Sequence, residues 1–140
     1  MSKSVSGKPS ISQWKAYQGA YDYFNKELFN GELASCILNF SRHGKTYGFF
    51  VPHQWTASNG DETTCHEISL NPDQLARTAV ESLSTLVHEM VHLWQQDFGK
   101  PSRRTYHNTE WAGKMESIGL IPSNTGQSGG KKTGQKMTHY

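Results

Sequence analysis

His88-Glu89-Met90-Val91-His92 decides how the rest of this chain is read. On an α-helix, residues i and i+4 share a face, so the two imidazoles can grip one divalent ion together. The glutamate between them points aside, toward the position where such an ion carries its water, and a carboxylate there can act as a general base. A zinc peptidase needs that arrangement, with His88 and His92 as metal ligands and Glu89 as the base.

The flanks of the motif read as one helix. At about 100° per residue, Val80, Leu83, Leu86, Val87, Met90, Val91, Leu93 and Trp94 form a broad apolar sector. His88 and His92 fall on the opposite side with Glu81, Ser84 and Gln95. Thr78 with Glu81 forms a capping box that starts the helix. Gly99, followed by Pro101, stops it. The helix is therefore expected to pack by its apolar stripe and to present both histidines elsewhere.

Composition limits the alternatives. The 140 residues are enough for one compact domain, and at 34% hydrophobic the core must come mainly from the middle of the chain. A net charge of +2 does not mark the whole molecule as a polyanion binder. Basic residues do cluster locally: Lys3, Lys8 and Lys15 before the first acid, Lys100, Arg103 and Arg104 after the motif helix, and Lys131, Lys132 and Lys136 near the end. Cys36 and Cys65 form no C-x-x-C pair, which excludes a zinc ribbon and argues against a disulfide framework. The first residues lack an apolar h-region, and no run approaches the length of a membrane span. A reducing, cytoplasmic setting is the expectation.

Along the chain, residues 1–9 read as a flexible arm. Ile11, Trp14, Tyr17, Tyr21, Phe24 and Leu28 then recur every three or four residues, predicting an amphipathic structural helix that Asn30-Gly31 ends in a left-handed or turn geometry. The period changes at residues 35–40 and 46–51, two strands joined by a turn at residues 42–45. A polar loop over residues 56–63 leads to a third strand, 66–70. Asn71 and Pro72 resemble the cap and first turn of a short helix. Beyond a basic connector, a helix from about Asn108 to Ile118 turns Trp111, Met115 and Ile118 inward, and the chain from Pro122 onward is loop-like. The fold class is α+β: an N-terminal helix, a three-stranded antiparallel-type sheet, the motif helix and a ligand-bearing helix.

A catalytic zinc takes three protein ligands and keeps one position open. The metzincin pattern is absent, because no histidine follows His92 at that signature's spacing. His107, just before the last helix, is the preferred third ligand on chemistry, and Glu110, one turn later, is its rival. More remote candidates are His43, His53, His66 and His139, of which His43, in a turn, His53, in a loop, and His66, at the start of a strand, read as ordinary histidines. Trp14 and Trp55 read as packing residues.

Leu70-Asn71-Pro72, then Leu86-Val87-His88-Glu89-Met90-Val91-His92-Leu93-Trp94, then His107-Asn108-Thr109-Glu110-Trp111 resemble the SprT-like family, which includes the Spartan proteases that degrade DNA–protein crosslinks. The resemblance covers roughly residues 10–120 in order of elements. It implies a small zincin-like metalloprotease domain over residues 10–121, with residues 122–140 as a Gly/Lys-rich tail. By match to H-G-x-E-[WF], it implies His107 as the third zinc ligand. Asn108 stands where the family pattern has glycine, and asparagine tolerates a left-handed backbone better than most residues. Residues 122–140 carry no cysteine, so no cysteine-based zinc ribbon is expected in that segment.

The expected chemistry is peptide-bond hydrolysis at a Zn²⁺ held by His88, His92 and His107, with Glu89 moving the proton. Strand 66–70 is expected at the cleft edge, pairing with an extended protein or peptide substrate. Glu110 is either a support for the ligands or a first-turn acid favoured by the helix dipole. Tyr106, His139 and Tyr140 are candidate oxyanion donors. DNA is a possible partner and a membrane is not; the sequence carries no sign of oligomeric state. Two other functions fit the same residues: a nucleic-acid-associated module with a structural zinc, and a zinc amidohydrolase of small molecules.

Overall fold

The structure, a computed structural model of the chain, describes residues 7–42, 44, 46–56, 64–74, 78–102, 106–135 and 137–139. It divides into a unit ending at Glu32 and a unit beginning at Leu33. The first holds one helix, α1 (Pro9–Phe29), with Pro9 in the first turn, where its missing N–H costs nothing. Tyr17, Tyr21 and Phe29 are its buried positions, while Ile11 and Trp14, earlier on the expected stripe, stay exposed. Asn30 adopts φ 55° and Gly31 φ 71°, and the Gly31 N–H donates to the Asn25 carbonyl. The helix ends in the left-handed turn read from Asn-Gly.

The second unit is built on strands β1 (Ile37–Phe40), β2 (Gly48–Thr56) and β3 (Thr64–Leu70), in the spatial order β1-β3-β2. β1 runs parallel to β3, with Leu38 beside Ile68, and β2 runs antiparallel to it, with Phe50 beside Ile68. The sheet is therefore mixed, not antiparallel throughout, and β1 and β2 are not a hairpin. β3 lies between them and is no edge. Asn71, directly after β3, shows why: its N–H donates to the Tyr47 carbonyl, and its side-chain amide donates to the carbonyls of Gly44 and Thr46. These bonds pin the β1–β2 connection across the end of the central strand. The same side chain accepts from the Asp73 N–H, capping the 3₁₀ turn Pro72–Gln74 as Asn-Pro predicts.

β3 is buried almost end to end, as a strand covered on both faces must be. Its polar members are paired internally. Glu67 accepts from the Trp55 indole and from Ser69 Oγ, at 2.6 and 2.7 Å. His66 accepts from the His53 N–H and meets Asp97 at 2.8 Å. β2 runs on past residue 51 through a register irregularity, where His53, expected in a loop, sits at φ 51°.

The motif helix is α2 (Ala79–Phe98), which lies against β2 and β3. Thr78 Oγ1 accepts from the Glu81 N–H and donates to the Glu81 carboxylate, a variant of the expected capping box. Gly99 ends α2 with an extended backbone, φ −115°, not a left-handed one. A Cβ there would meet the Glu110 carboxylate, so any larger residue at position 99 would displace that side chain.

The expected apolar stripe is only partly buried: Val80 is 77% and Leu83 40% exposed. Burial is concentrated further along, where Leu86, Val87, Met90, Val91 and Leu93 are closed off together with His88, Glu89 and Gln95. α2 is thus enclosed on its histidine side as well. Helix α3 (Thr109–Ser117) follows, turning Trp111, Ala112 and Met115 inward. The last residues carry two short strands, β4 (Pro122–Ser123) and β5 (Thr138–His139), paired antiparallel. Residues 1–6, the polar loop 57–63, residues 75–77 of the turn before α2 and Arg103 and Arg104 of the basic connector lie outside the described residues.

Candidate metal centre

One turn of α2 separates His88 from His92, and their rings lie 5.3 Å apart between centroids. His107, at the entry to α3, brings its ring within 5.6 Å of His88 and 4.7 Å of His92. One nitrogen from each of the three lies within 4.8 Å of the others, and the group can hold a metal ion. Three imidazole nitrogens are a donor set suited to zinc and other late divalent ions.

The floor of the centre is Trp111. Its ring is fully buried and touches all three imidazoles, at centroid distances of 4.9, 5.3 and 4.5 Å from His88, His92 and His107. Phe50 of β2 also stacks on His92, at 6.4 Å. These contacts lock ring orientation by packing. Spacing identified Trp111 only as an inward-facing residue; its position under the histidines depends on how α3 meets α2.

That meeting is fixed by a polar latch. Gln95 Nε2 donates to Asn108 Oδ1 at 2.7 Å and to Glu110 Oε1 at 2.9 Å, and the Lys100 N–H donates to the same Glu110 oxygen at 2.7 Å. Glu110 therefore joins the end of α2 to the start of α3 and is not among the grouped metal donors. Asn108 is extended, at φ −92°, and accepts from the Trp111 N–H as the N-cap of α3. Asparagine at this position acts through capping, not through a left-handed backbone.

Electrostatics favour neutral rings. Burial pushes His88 well below the usual imidazole range, and the neighbouring His92, His139 and His107 add to the effect. Burial, and then His107, lowers His92 to about 3. Burial also lowers His107, against backbone hydrogen bonds with Gly134 and Gln135 that raise it. Neutral imidazoles offer lone pairs to a cation. Glu89 is buried beside them, and among the described residues no group hydrogen-bonds its carboxylate. Burial alone raises it to about 8. Burying an acid away from water costs stability, and a strongly shifted carboxyl beside a possible metal site is a candidate for chemistry.

The remaining histidines are placed elsewhere. His53 and His66 pack on each other at 4.5 Å and bond to Thr64 and Asp97, outside the metal group. His43 and Tyr140 lie outside the described residues. His139 does reach the centre: its Nδ1 lies 3.2 Å from His88 Nδ1 and its Nε2 lies 2.8 Å from Ser84 Oγ. Both of its nitrogens face protein groups, which does not suit the oxyanion donor considered from sequence.

A small α+β unit with three clustered imidazoles on an H-E-x-x-H helix and the turn after it defines the class of protein. The profile of the SprT-like family matches residues 17–132, and the chain belongs to that family. An uncharacterized protein encoded in the mucB 3' region of Salmonella typhimurium is 39% identical over 41 residues, which cover 29% of this chain and 55% of that protein. The chain thus spans about half the length of that relative.

Proposed function

We propose that the protein is a zinc-dependent metallopeptidase of zincin type, with His88, His92 and His107 as ligands and Glu89 as general base. The observation that carries this reading is the buried Glu89 carboxyl, raised by burial and with no hydrogen-bond partner among the described residues, on the same helical turn as two of three converging imidazoles. A purely structural site has no use for such an acid. A divalent ion held by the imidazoles supplies Lewis acidity toward a carbonyl oxygen, acidifies water and favours the ionised form of Glu89. The Glu89 carboxylate takes the proton from the attacking water and returns it to the leaving amine. Trp111 and Phe50 keep the rings in place while this occurs.

Because β3 is the middle strand, an extended peptide would pair instead with the outer edge of β2. Phe50 places that strand beside His92. The substrate in this reading is a protein or peptide, taken up by backbone pairing more than by side-chain pockets. Among the described residues no helix is long and apolar enough to cross a membrane. The basic residues Lys100 and Lys131 are exposed, and a DNA-associated substrate is the partner that the family resemblance suggests.

The deciding experiment combines metal analysis with hydrolysis of a denatured protein substrate, with and without single-stranded DNA. Glu89→Gln should retain zinc and lose hydrolysis; persistent cleavage by that variant would sink the mechanism. A rate indifferent to DNA and to salt would remove DNA from the reading while leaving the peptidase intact.

A further inference from the structure

The chain after α3 is poor in apolar residues, yet it is held in a defined course. Ser123 is buried, and its hydroxyl donates to the Gln127 carbonyl at 2.7 Å. Asn124 and Lys131 exchange two hydrogen bonds, at 2.9 and 2.8 Å. A Cβ on Gly130 would collide with Ser123 Oγ, so a larger residue there would disturb the bonds of that hydroxyl. Lys132 forms an ion pair with Glu116 of α3. The segment then returns along two of the three grouped histidines.

At His107 the contact is threefold. The backbones of His107 and Gly134 exchange N–H···O bonds of 2.8 and 3.0 Å, and His107 Nδ1 lies 2.9 Å from the Gly134 carbonyl. A carbonyl can only accept, so Nδ1 carries the proton and Nε2 keeps its lone pair. Gly134 sits at φ 144°, a backbone region that suits glycine.

At His88 the polarity follows through a longer chain. Ser84 Oγ has one proton, which it gives to the Glu81 carbonyl at 2.8 Å. It must therefore accept from His139 Nε2–H. A neutral His139 protonated at Nε2 has a bare Nδ1, which accepts from His88 Nδ1–H. His88 Nε2 is then left with its lone pair free. Glu81 carbonyl, Ser84, His139 and His88 form one line in which every proton has a single consistent direction. Metal-binding histidines are oriented by what their other nitrogen meets, and loss of such a partner typically lowers metal affinity about 10–100-fold.

We infer that the segment after α3 is a positioning strap for the metal centre, in which His139, seated on Ser84, presents His88 Nε2 to the ion while Gly134 does the same for His107. The inference rests on the reading that the three histidines hold a metal. Its experiment separates the two. Zn²⁺ affinity is measured on the full chain by competition with a chromophoric chelator, for wild type, His139→Ala, His139→Gln and Ser84→Ala. Ring ¹⁵N shifts of His88 are recorded without metal.

Wild type should bind one Zn²⁺ with His88 protonated at Nδ1 before metal is added. His139→Ala should bind it about 10–100-fold more weakly. Ser84→Ala should weaken it in the same direction, and glutamine, whose amide can both accept and donate, should recover part of the loss. A His139→Ala affinity within about twofold of wild type overturns the strap and leaves the metal site standing. So does a wild-type His88 ring protonated at Nε2, or a zinc coordination shell containing four imidazoles, which would make His139 a ligand. A wild type that binds no Zn²⁺ removes the underlying reading and the strap with it. If His139→Ala loses its fold, Ser84→Ala decides, because Ser84 is only half-buried and the change removes a single hydroxyl.

Discussion

Glu89, His107 and Glu110 carry the sharpest expectations at the scale of single residues. A general base contributes about 10²–10⁴-fold, so Glu89→Gln should reduce peptide hydrolysis by that order while zinc content stays stoichiometric. His107→Ala removes one of the three grouped donors, and metal analysis after dialysis should show most of the zinc lost. Glu110→Ala should keep its zinc, because that carboxylate bonds Gln95 and the Lys100 backbone and not the metal group. The reverse ranking would transfer the third position to Glu110. That His88 and His92 share one helical face, with Glu89 between them, was legible in the sequence because helical spacing is local geometry. The choice of His107 over Glu110 was not legible from spacing alone, since both lie near the start of the same helix. What separates them is the direction each side chain takes, and Gln95 sets that for Glu110.

At the scale of elements, α2 is anchored by its middle third. Met90 and Leu93 are fully buried, and truncating either to alanine should cost about 2–5 kcal/mol in chemical denaturation. Val80→Ala, on the exposed first turn, should change stability by less than about 0.5 kcal/mol despite belonging to the same apolar stripe. The stripe predicted the helix correctly and its buried face only partly, because β2 and β3 cover the later turns and leave the first turn in solvent. The junction of α2 and α3 yields a further expectation. Asn108→Ala removes the N-cap of α3 and leaves Gln95 without one acceptor, costing about 0.5–2 kcal/mol through the cap alone. Its zinc affinity should fall as well, because Trp111 and His107 both depend on where α3 begins. A variant that lost stability and kept full affinity would show that the latch serves the fold only.

For the whole molecule, the buried titratable groups set how stability varies with pH in the metal-free protein. Folded His92 stays neutral down to about 3, whereas an unfolded histidine takes up its proton near 6.5. Between those values the unfolded chain binds more protons, so stability is lost as pH falls below 6.5. His88 and His107 shift in the same direction and steepen that loss. Glu89 acts oppositely: it holds its proton in the fold up to about 8 but gives it up near 4.5 when unfolded, so its contribution is lost as pH rises through that window. Three imidazoles outweigh one carboxyl on the acid side, and the melting temperature in EDTA should peak near about pH 6.5. Zinc should raise the curve and flatten its alkaline arm. A metal-free melting temperature that climbed steadily past pH 8 would contradict this account. The sequence by itself determined the three helices, the Thr78 cap of α2, the left-handed end of α1, the three strands and two of the three grouped histidines, because each rests on periodicity or capping within a few residues. Only the tertiary structure decided that β3 lies between β1 and β2, that Trp111 forms the floor, and that Gly134 and His139 return to the histidines. Those features depend on contacts between residues far apart in the chain, such as Asn71 with Thr46 and His139 with Ser84, which no local pattern encodes.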